Sequence, residues 1–592
     1  MPNVTINFGG ATLSIPNAYF YGNVTQGFQP PLPTVPPLLF VGYFYGIQPK
    51  TPYTFLSAQD AINAVRGGPG GVYLTPISLP SPSVNGANFI TLIDASENTT
   101  GSLTLSNSNP SGLISLSTTV WGPPANLIQA SVSNGSVAGK QIEIYDGYTN
   151  KTYIGNNLGV PFQLAYTGNA SSGVSYTVSG PAGAVTGFAV NSPNAGESFT
   201  ISLGAATYPT VQSVVEYLNG TGFYSASVLS DTQGELNSQQ LDPGSGTLTP
   251  AGTGSLVYAN VASTLYDPIF WVNTFSQVVS ATLYSSGVTT GALANIPLTS
   301  FTGAQGIPPT LSDYSEALNV GLNTPAWVVF IDSNGLGERA LLAQHCETAS
   351  ETNNSAWRRG VTGSSVGDSV STTIVNAQTL DSKQVGYVYP GIVVTNTSTG
   401  LNTTYGGLYA AAAAAGMLCG NAIAMPLTNK PLNGVNVEVN LTVSQLTELQ
   451  NNGVMCLIQK NNVPTIMSDV STWQVDNNPE NVFLQQVGNL YWVGYSLISA
   501  AQPYIGGIAA PTTTKAIANA VKRCLNNLIY TDVGPGINAN GVLSGWDATS
   551  LTVVYNGDTQ QYQVSVNVQL VGQTRFITMT VFASPYNTSS AG

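Results

Sequence analysis

The chain has 592 residues, of which 43% are hydrophobic and only 7% are charged. An average soluble protein carries roughly 25% charged residues, so the surface here must consist largely of uncharged polar side chains and glycine. The net charge is −13 with 14 lysines and arginines, which argues against a nucleic-acid-binding protein and against a polybasic membrane patch. The apolar content is normal and there are 29 tyrosines, so disorder is not expected either.

The length predicts roughly two to four domains, because it exceeds what one hydrophobic core usually organises. The first residues contain neither a basic region nor an apolar stretch typical of a secretory signal. No apolar run reaches the length of about 20 residues that spans a bilayer, so we expect no membrane insertion.

The N-terminal residues alternate between apolar and polar side chains. Val4, Ile6 and Phe8 are apolar, and Gly9-Gly10 follows before a second alternating stretch. This pattern predicts a hairpin, and its uncharged polar face would leave an unprotected edge for a partner strand. We assign residues 1–30 to an N-terminal β arm.

The next segments introduce a core and its insertions. A buried strand at 38–42 and a helix capped by Ser57 place residues 31–74 in the first part of an α/β core. Short alternating strands in Ser/Thr/Gly/Asn-rich sequence predict one or two inserted β-sandwich domains over 75–205. Residues 206–320 are predicted to form a mixed α/β insertion.

The second half returns to strands that alternate with helices. A buried strand at 326–331, a helix at 338–346 and a strand at 385–389 predict parallel pairing, and residues 321–560 are assigned to the second part of the core. Alternation from Tyr562 onward, continued by Ile577, Met579 and Val581, predicts a C-terminal β arm over 561–592. The predicted fold class is therefore α+β and multidomain, with an α/β core layer, inserted β-sandwich domains and terminal β-strand arms.

Candidate catalytic and binding motifs all have a simpler structural interpretation. Gly335-Leu336-Gly337 opens a helix after a strand, as in a dinucleotide fingerprint, but Glu338 would repel a pyrophosphate, and a tight strand–helix turn is favoured. His345 is the only histidine, and its neighbour Cys346 points elsewhere on a helix, so the two cannot form a catalytic dyad.

We expect no catalytic residue, no metal site and no cofactor. The four cysteines show no metal-binding spacing and lie among apolar neighbours, which favours buried thiols. The 27 carboxylates are spread thinly, which predicts a weak dependence of stability on pH.

The order of elements resembles the contractile-tail sheath proteins of bacteriophages and related injection machines. The matching stretches are the early strand and helix, the strand and helix at 327–346, Arg358 to Gly363, 385–391, the small-residue helix at 409–420, and 446–454. Together they span about half of the chain. Residues 75–320 match nothing in this family that we can place.

The resemblance implies a structural, non-enzymatic subunit. Such subunits form stacked hexameric rings in a helical lattice around a tail tube protein, between baseplate and tail terminator proteins, and contract to drive the tube through the host envelope. They reside in the virion tail after assembly in the host cytoplasm. The resemblance also implies intersubunit strand exchange, which we assign to Val4, Ile6, Phe8, Ile577, Met579 and Val581. An S-layer or adhesin-like surface protein is the alternative, supported by the Ser/Thr/Asn-rich texture.

Overall fold

The computed structural model describes residues 6–8, 11–13 and 36–574, except 110, 205, 251–253, 262, 286, 287, 289, 351–355, 396–398 and 532–537. Within these residues the chain forms a mixed α/β fold with eight sheets and twelve α-helices. Among the same residues no helix is both long and apolar enough to cross a bilayer.

The strands of the described part are, in chain order, β1 (Ile6–Phe8), β2 (Ala11–Leu13), β3 (Leu38–Gly42), β4 (Pro52–Phe55), β5 (Ile90–Asp94), β6 (Thr100–Ser106), β7 (Gly112–Trp121), β8 (Ile128–Asn134), β9 (Lys140–Asp146), β10 (Lys151–Leu158), β11 (Phe162–Tyr166), β12 (Val174–Ser179), β13 (Gly187–Asn191), β14 (Phe199–Ser202), β15 (Tyr224–Val228), β16 (Gly244–Leu248), β17 (Ala259–Val261), β18 (Val279–Leu283), β19 (Ile296–Ser300), β20 (Val328–Ile331), β21 (Arg359–Gly363), β22 (Val385–Tyr389), β23 (Ile392–Thr395), β24 (Asn402–Tyr405), β25 (Asn436–Val437), β26 (Val454–Lys460), β27 (Val463–Ile466), β28 (Leu543–Asn556) and β29 (Gln561–Leu570).

The helices are α1 (Ala58–Ala64), α2 (Gly71–Ser78), α3 (Val211–Gly220), α4 (Tyr266–Phe275), α5 (Leu311–Gly321), α6 (Leu336–Ser350), α7 (Val370–Gln378), α8 (Gly407–Gly420), α9 (Val443–Asn451), α10 (Pro479–Val482), α11 (Leu484–Ala501) and α12 (Pro511–Asn527). Short 3-10 turns occur at Pro123–Leu127, Ser238–Gln240 and Gln502–Tyr504.

The largest sheet has eight strands in the order β27-β26-β22-β21-β20-β3-β5-β4. The six inner strands run parallel, and the edge strands β4 and β27 pair antiparallel. The four residues of β20 are fully buried, as expected for a parallel strand covered on both faces. The parallel α/β layer predicted from alternating strands and helices is therefore present.

Helices cover both faces of this sheet. One face packs against α5, α6, α7 and α9, and the other against α1, α2, α8 and α11. Helix α8 is buried along almost its whole length, because alanine and glycine let neighbouring backbones approach closely. A Cβ atom at Gly416 would clash with the carbonyl of Ile77 in α2, so this contact requires glycine.

The chain between 97 and 306 forms two further hydrophobic cores. The sheets β18-β7-β6 and β10-β9-β8-β19 enclose one core together with α4. The sheets β15-β11-β17 and β14-β13-β12-β16 enclose the other together with α3, within residues 162–261. The second unit is thus inserted into a loop of the first.

These units differ from the sequence-based divisions in two respects. The division at 205/206 does not coincide with them, because β18 and β19 complete sheets that begin at β6 and β8. The core sheet also continues past residue 74, because β5 pairs with β3 and β4. In both cases the pairing partner lies far along the chain, and the local pattern does not reveal it.

Local signals predicted several element boundaries correctly. Ser57 caps α1 through its side chain, and Thr442 forms a capping box with Gln445 at α9. The helix predicted from Glu338 begins two residues earlier and continues to Ser350. The predicted apolar helix near 481–500 is α11, at Leu484–Ala501.

Candidate functional surfaces

The predicted strand-exchange residues fall at the two ends of the chain. Ile6 and Phe8 lie on β1, which pairs antiparallel with β2 in the predicted hairpin. Val4 precedes the described residues, and Ile577, Met579 and Val581 follow them. Their assignment to an intersubunit sheet therefore stays a prediction.

A long hairpin near the C-terminus offers a surface that the sequence analysis only half identified. Among the described residues β28 and β29 form a two-stranded sheet, and a single bridge joins Leu543 at the start of β28 to Ile529, so most of each outer edge is free. Alternation from Tyr562 predicts β29 within the arm at 561–592, whereas β28 falls in the predicted core at 321–560 without a predicted strand. Its signal is the alternation of Leu551, Val553 and Tyr555 before Asn556-Gly557, a pair typical of hairpin turns.

One face of this hairpin is apolar and rests on α12. Val566 and Val568 pack with Ile517 and Val521 of that helix, which gives a two-stranded sheet the support it lacks by itself. Val554, the neighbour of Val553 in β28, is 59% exposed. A free strand edge beside exposed apolar residues is the kind of surface to which a further strand adds.

The solvent face of α12 is basic. Lys515, Lys522 and Arg523 are exposed on this helix, and no aspartate or glutamate occurs between 481 and 531. The chain as a whole carries only 14 basic residues and a net charge of −13. Three exposed cations in a stretch of sequence without acidic residues reverse the overall charge balance locally, which suits an acidic partner.

The candidate dinucleotide turn has no room for a phosphate. The loop from β20 to α6 carries Glu338 folded back over Gly335, so closely that a Cβ at Gly335 would clash with its carboxylate. Asn334 Nδ2 donates to Ser365 Oγ at 2.8 Å and ties the loop to the next one. A carboxylate over the helix start supports the interpretation as a tight turn.

His345 and Arg358 form a buried structural pair. Arg358 Nη1 lies 2.7 Å from His345 Nε2, and burial together with the Arg358 charge lowers the pKa of His345 well below its ordinary value. Neutral His345 can therefore accept the hydrogen bond. Cys346 is fully buried, and burial raises the pKa of its thiol to about 12, so it is an inert thiol.

One group of three carboxylates lies close enough to hold a cation. Glu97, Asp313 and Glu316 meet at the start of α5. The ammonium group of Lys50 contacts all three, at 3.2, 3.0 and 3.4 Å. The group is therefore an ion-pair cluster that joins the loop after β3 to α5.

Comparisons with known proteins find similarity to tail sheath proteins. No family model matches the chain. A curated relative, the tail sheath protein of Bacillus phage SP01, is 24% identical over 495 residues, which cover 81% of this chain and 81% of the relative. The sequence resemblance to tail sheath proteins is thereby confirmed.

Solved structures of sheath proteins are also similar. A sheath tail protein from Listeria innocua has a TM-score of 0.54 at 11% identity, covering 91% of this chain and 92% of that chain. A sheath tail protein from Desulfitobacterium hafniense has a TM-score of 0.48 at 11% identity, covering 93% and 99%. The Listeria innocua structure shows that this chain shares its fold.

Proposed function

We propose that this chain is the structural subunit of a contractile tail sheath. The observation that carries the proposal is the similarity to a phage tail sheath protein over four-fifths of both sequences. The mixed α/β fold shared with a sheath tail protein supports it. The chain acts through its surfaces, without a catalytic residue or cofactor.

In this proposal the subunits polymerise as stacked hexameric rings around an inner tube. The α/β core builds the lattice, and the two β units between 97 and 306 face outward. Contraction repacks the interfaces between subunits and drives the tube through the host envelope. The sheath assembles in the host cytoplasm, ends at the baseplate and the tail terminator, and is part of the virion tail.

Neighbouring subunits are held by strand exchange at the β28–β29 hairpin. The terminal arms, with Val4, Ile6 and Phe8 at one end and Ile577, Met579 and Val581 at the other, add as strands to the free edges of the hairpin. Main-chain hydrogen bonds tolerate modest rotation of the subunit bodies. The exchanged sheet can therefore keep the lattice connected while the bodies repack.

The basic face of α12 is our candidate contact with the tube. Lys515, Lys522 and Arg523 would face an acidic tube surface. Exposed ion pairs are individually weak and screened by salt, so such a contact can be broken when the sheath contracts.

Negative-stain electron microscopy of the purified full-length chain tests the proposal. The expected result is hollow tubes with a regular axial repeat. Planar arrays would instead favour the S-layer alternative, and particles that stay monomeric at high concentration would overturn the proposal.

A truncation tests the role of the N-terminal arm. Deleting residues 1–20 should leave the circular dichroism spectrum and the melting temperature nearly unchanged while abolishing tubes. The matched control replaces the same residues with a Gly/Ser sequence of equal length. If either variant still forms tubes, the arm assignment is wrong.

A further inference from the structure

The chain segment that follows β29 is attached to the core in an unusual way. The carbonyl oxygen of Val571 lies near three side-chain amides of α11. It accepts from Gln485 Nε2 at 3.1 Å, Gln486 Nε2 at 2.9 Å and Asn489 Nδ2 at 3.3 Å. A carbonyl oxygen has two lone pairs, so three donors exceed its ordinary complement.

The three amide side chains are buried between α11 and the core, where apolar side chains would ordinarily be favoured. Gln485, Gln486 and Asn489 are 1%, 7% and 0% exposed. The amide oxygens of Gln485 and Asn489 have no hydrogen-bond partner among the described residues. Burying such groups is unfavourable unless their hydrogen bonds are formed, and the shared acceptor of the three is Val571.

Two further contacts fix the same short segment. Val571 N donates to Val542 O at 2.9 Å, which extends the ladder of the hairpin by one residue. Two residues later, Gln573 Oε1 accepts from Thr428 Oγ1 at 2.7 Å. Residues 571–573 are thus held by α11 and by the loop at 428, whereas much of β29 before them is exposed.

We propose that Gln485, Gln486 and Asn489 form an amide clasp that anchors the root of the C-terminal arm to the core. The inference rests on the proposed sheath function, because it assigns the clasp a role in assembly. Residues 571–573 lie within the predicted arm at 561–592 and lead directly into its last residues. A clasp at this point fixes where the arm leaves the body, so that a pull on the arm reaches α11 and does not peel β29 from β28.

The clasp also lowers the entropy cost of assembly. An arm that leaves the body at one fixed point samples fewer orientations before it meets its neighbour. Loosening the root should therefore weaken polymerisation without removing any contact between subunits.

The test uses the full-length double variant Gln486→Met and Asn489→Leu. Both replacements approximately preserve side-chain volume while removing two of the three donors, and Gln485 is left in place because it also donates to Ala424 O. The matched control is Ser496→Ala on the same helix, whose hydroxyl only donates to Trp492 O within α11.

Hydrogen exchange of the monomer measures directly how firmly the clasp holds residue 571. In the double variant the Val571 amide should exchange at least about tenfold faster, while amides of β20 and β21 stay as protected as in the unmodified chain and the control. Unchanged protection at Val571 would show that the amides do not hold this segment and would overturn the inference.

Sedimentation of the polymer measures the proposed role of the clasp in assembly. The critical concentration for tubes should rise about tenfold in the double variant and stay constant in the control. Faster exchange at Val571 with an unchanged critical concentration would overturn the role in assembly. If the unmodified chain forms no tubes, the proposed function fails, whereas hydrogen exchange still decides whether the clasp exists.

Discussion

Asp94 and Asp332 hold two consecutive backbone amides between them. Strand β3 lies between β5 and β20, and one of these aspartates stands at the carboxyl end of each flanking strand. Asp332 Oδ2 accepts from Tyr43 N at 2.7 Å, and Asp94 Oδ1 accepts from Phe44 N at 3.1 Å. The turn after β3 is therefore fixed from both sides, by the buried carboxylate of Asp94 and the partly buried carboxylate of Asp332.

Burial of these carboxylates opposes their ionisation. Burial raises the pKa of Asp332 to about 6, although Tyr314 Oη and Tyr43 N donate to it. Burial, assisted by the neighbouring charge of Asp332, raises the pKa of Asp94 to about 6. Burial also raises the pKa of three other aspartates, which are Asp242, Asp267 and Asp469.

The raised pKa values of these five aspartates predict a fold that is more stable at pH 5 than at pH 7, and they outnumber His345, whose lowered pKa acts in the opposite direction. An unfolded aspartate has a pKa of about 3.9, so between roughly pH 4 and pH 6 the folded state binds more protons than the unfolded state. Stability therefore falls as pH rises through this window. Each pKa unit corresponds to about 1.4 kcal/mol, which gives at most a few kcal/mol for each buried carboxylate.

Thermal unfolding from pH 4.5 to pH 7.5 checks the sign. The variant Asp332→Asn should lose part of the dependence on pH, and the exposed-site variant Asp60→Asn should retain all of it. A melting temperature that rises with pH would contradict the prediction. The small number of carboxylates predicts a weak dependence on pH, and the same measurement decides between that prediction and this one.

Replacing Arg358 should destabilise the fold strongly. Its guanidinium donates to the carbonyl oxygens of Gly321, Leu322 and Thr324 at 2.9, 3.0 and 2.7 Å, and so satisfies the end of α5. Arg358→Met removes all three hydrogen bonds and leaves the carbonyl oxygens of Leu322 and Thr324 without this donor, at a cost of about 3–5 kcal/mol. Urea unfolding measures the loss.

The control for this measurement is Arg523→Met on the exposed face of α12. Substitutions at such surface positions usually change stability by less than about 0.5 kcal/mol. A loss of similar size in both variants would show that Arg358 has no special role as a helix cap.

In helix α8 we predict that replacing a glycine by alanine destabilises the protein, which is opposite to the usual effect. Replacing an interior helical glycine by alanine ordinarily stabilises a helix by roughly 0.5–1 kcal/mol. At Gly416 the added Cβ would clash with the Ile77 carbonyl, so Gly416→Ala should instead destabilise the protein by about 1–3 kcal/mol.

Gly220 is the matched glycine for this comparison. It ends α3, and a Cβ there would meet no atom within 4 Å. Gly220→Ala should therefore be neutral or slightly stabilising. Melting temperatures of the two variants measured side by side check the prediction, and equal shifts would contradict the packing argument.

The sequence predicts much of the core but little of its long-range pairing. Strands such as β20 and β22 consist of continuous apolar residues, and this local pattern predicts that both of their faces are buried. Thr442 likewise marks the start of a helix through a local capping pattern. The partnership of β19 with β8 cannot be predicted in this way, because alternation shows that a strand has a buried face but not which strand lies beside it.

The same limit applies to the candidate surfaces. The basic face of α12 is visible in the sequence as three cations without a neighbouring acid. The amide clasp is not, because Gln485, Gln486 and Asn489 look like ordinary polar helix residues until Val571 is placed against them. Arg358 likewise gains its role only from the carbonyl groups of a distant helix end.

Reversing the charge of α12 should weaken binding to the tube protein without changing the stability of the fold. The variant Lys515→Glu, Lys522→Glu and Arg523→Glu changes only exposed side chains, so the melting temperature should stay within a few degrees. Polymerisation through the β28–β29 hairpin should also persist. Binding to the tube protein should fall at least about tenfold, because three attractive charges become repulsive.

Co-sedimentation of preformed tail tubes with each variant measures this binding at low and high salt. Binding of the unmodified chain should weaken as salt rises, since exposed charges farther apart than about 10 Å are screened at 0.1 M. The control reverses Lys140 and Lys151, which lie on β9 and β10 in the first of the two β units, and should bind like the unmodified chain. Equal losses in both variants would indicate that net charge alone governs binding, and that α12 is not the tube contact.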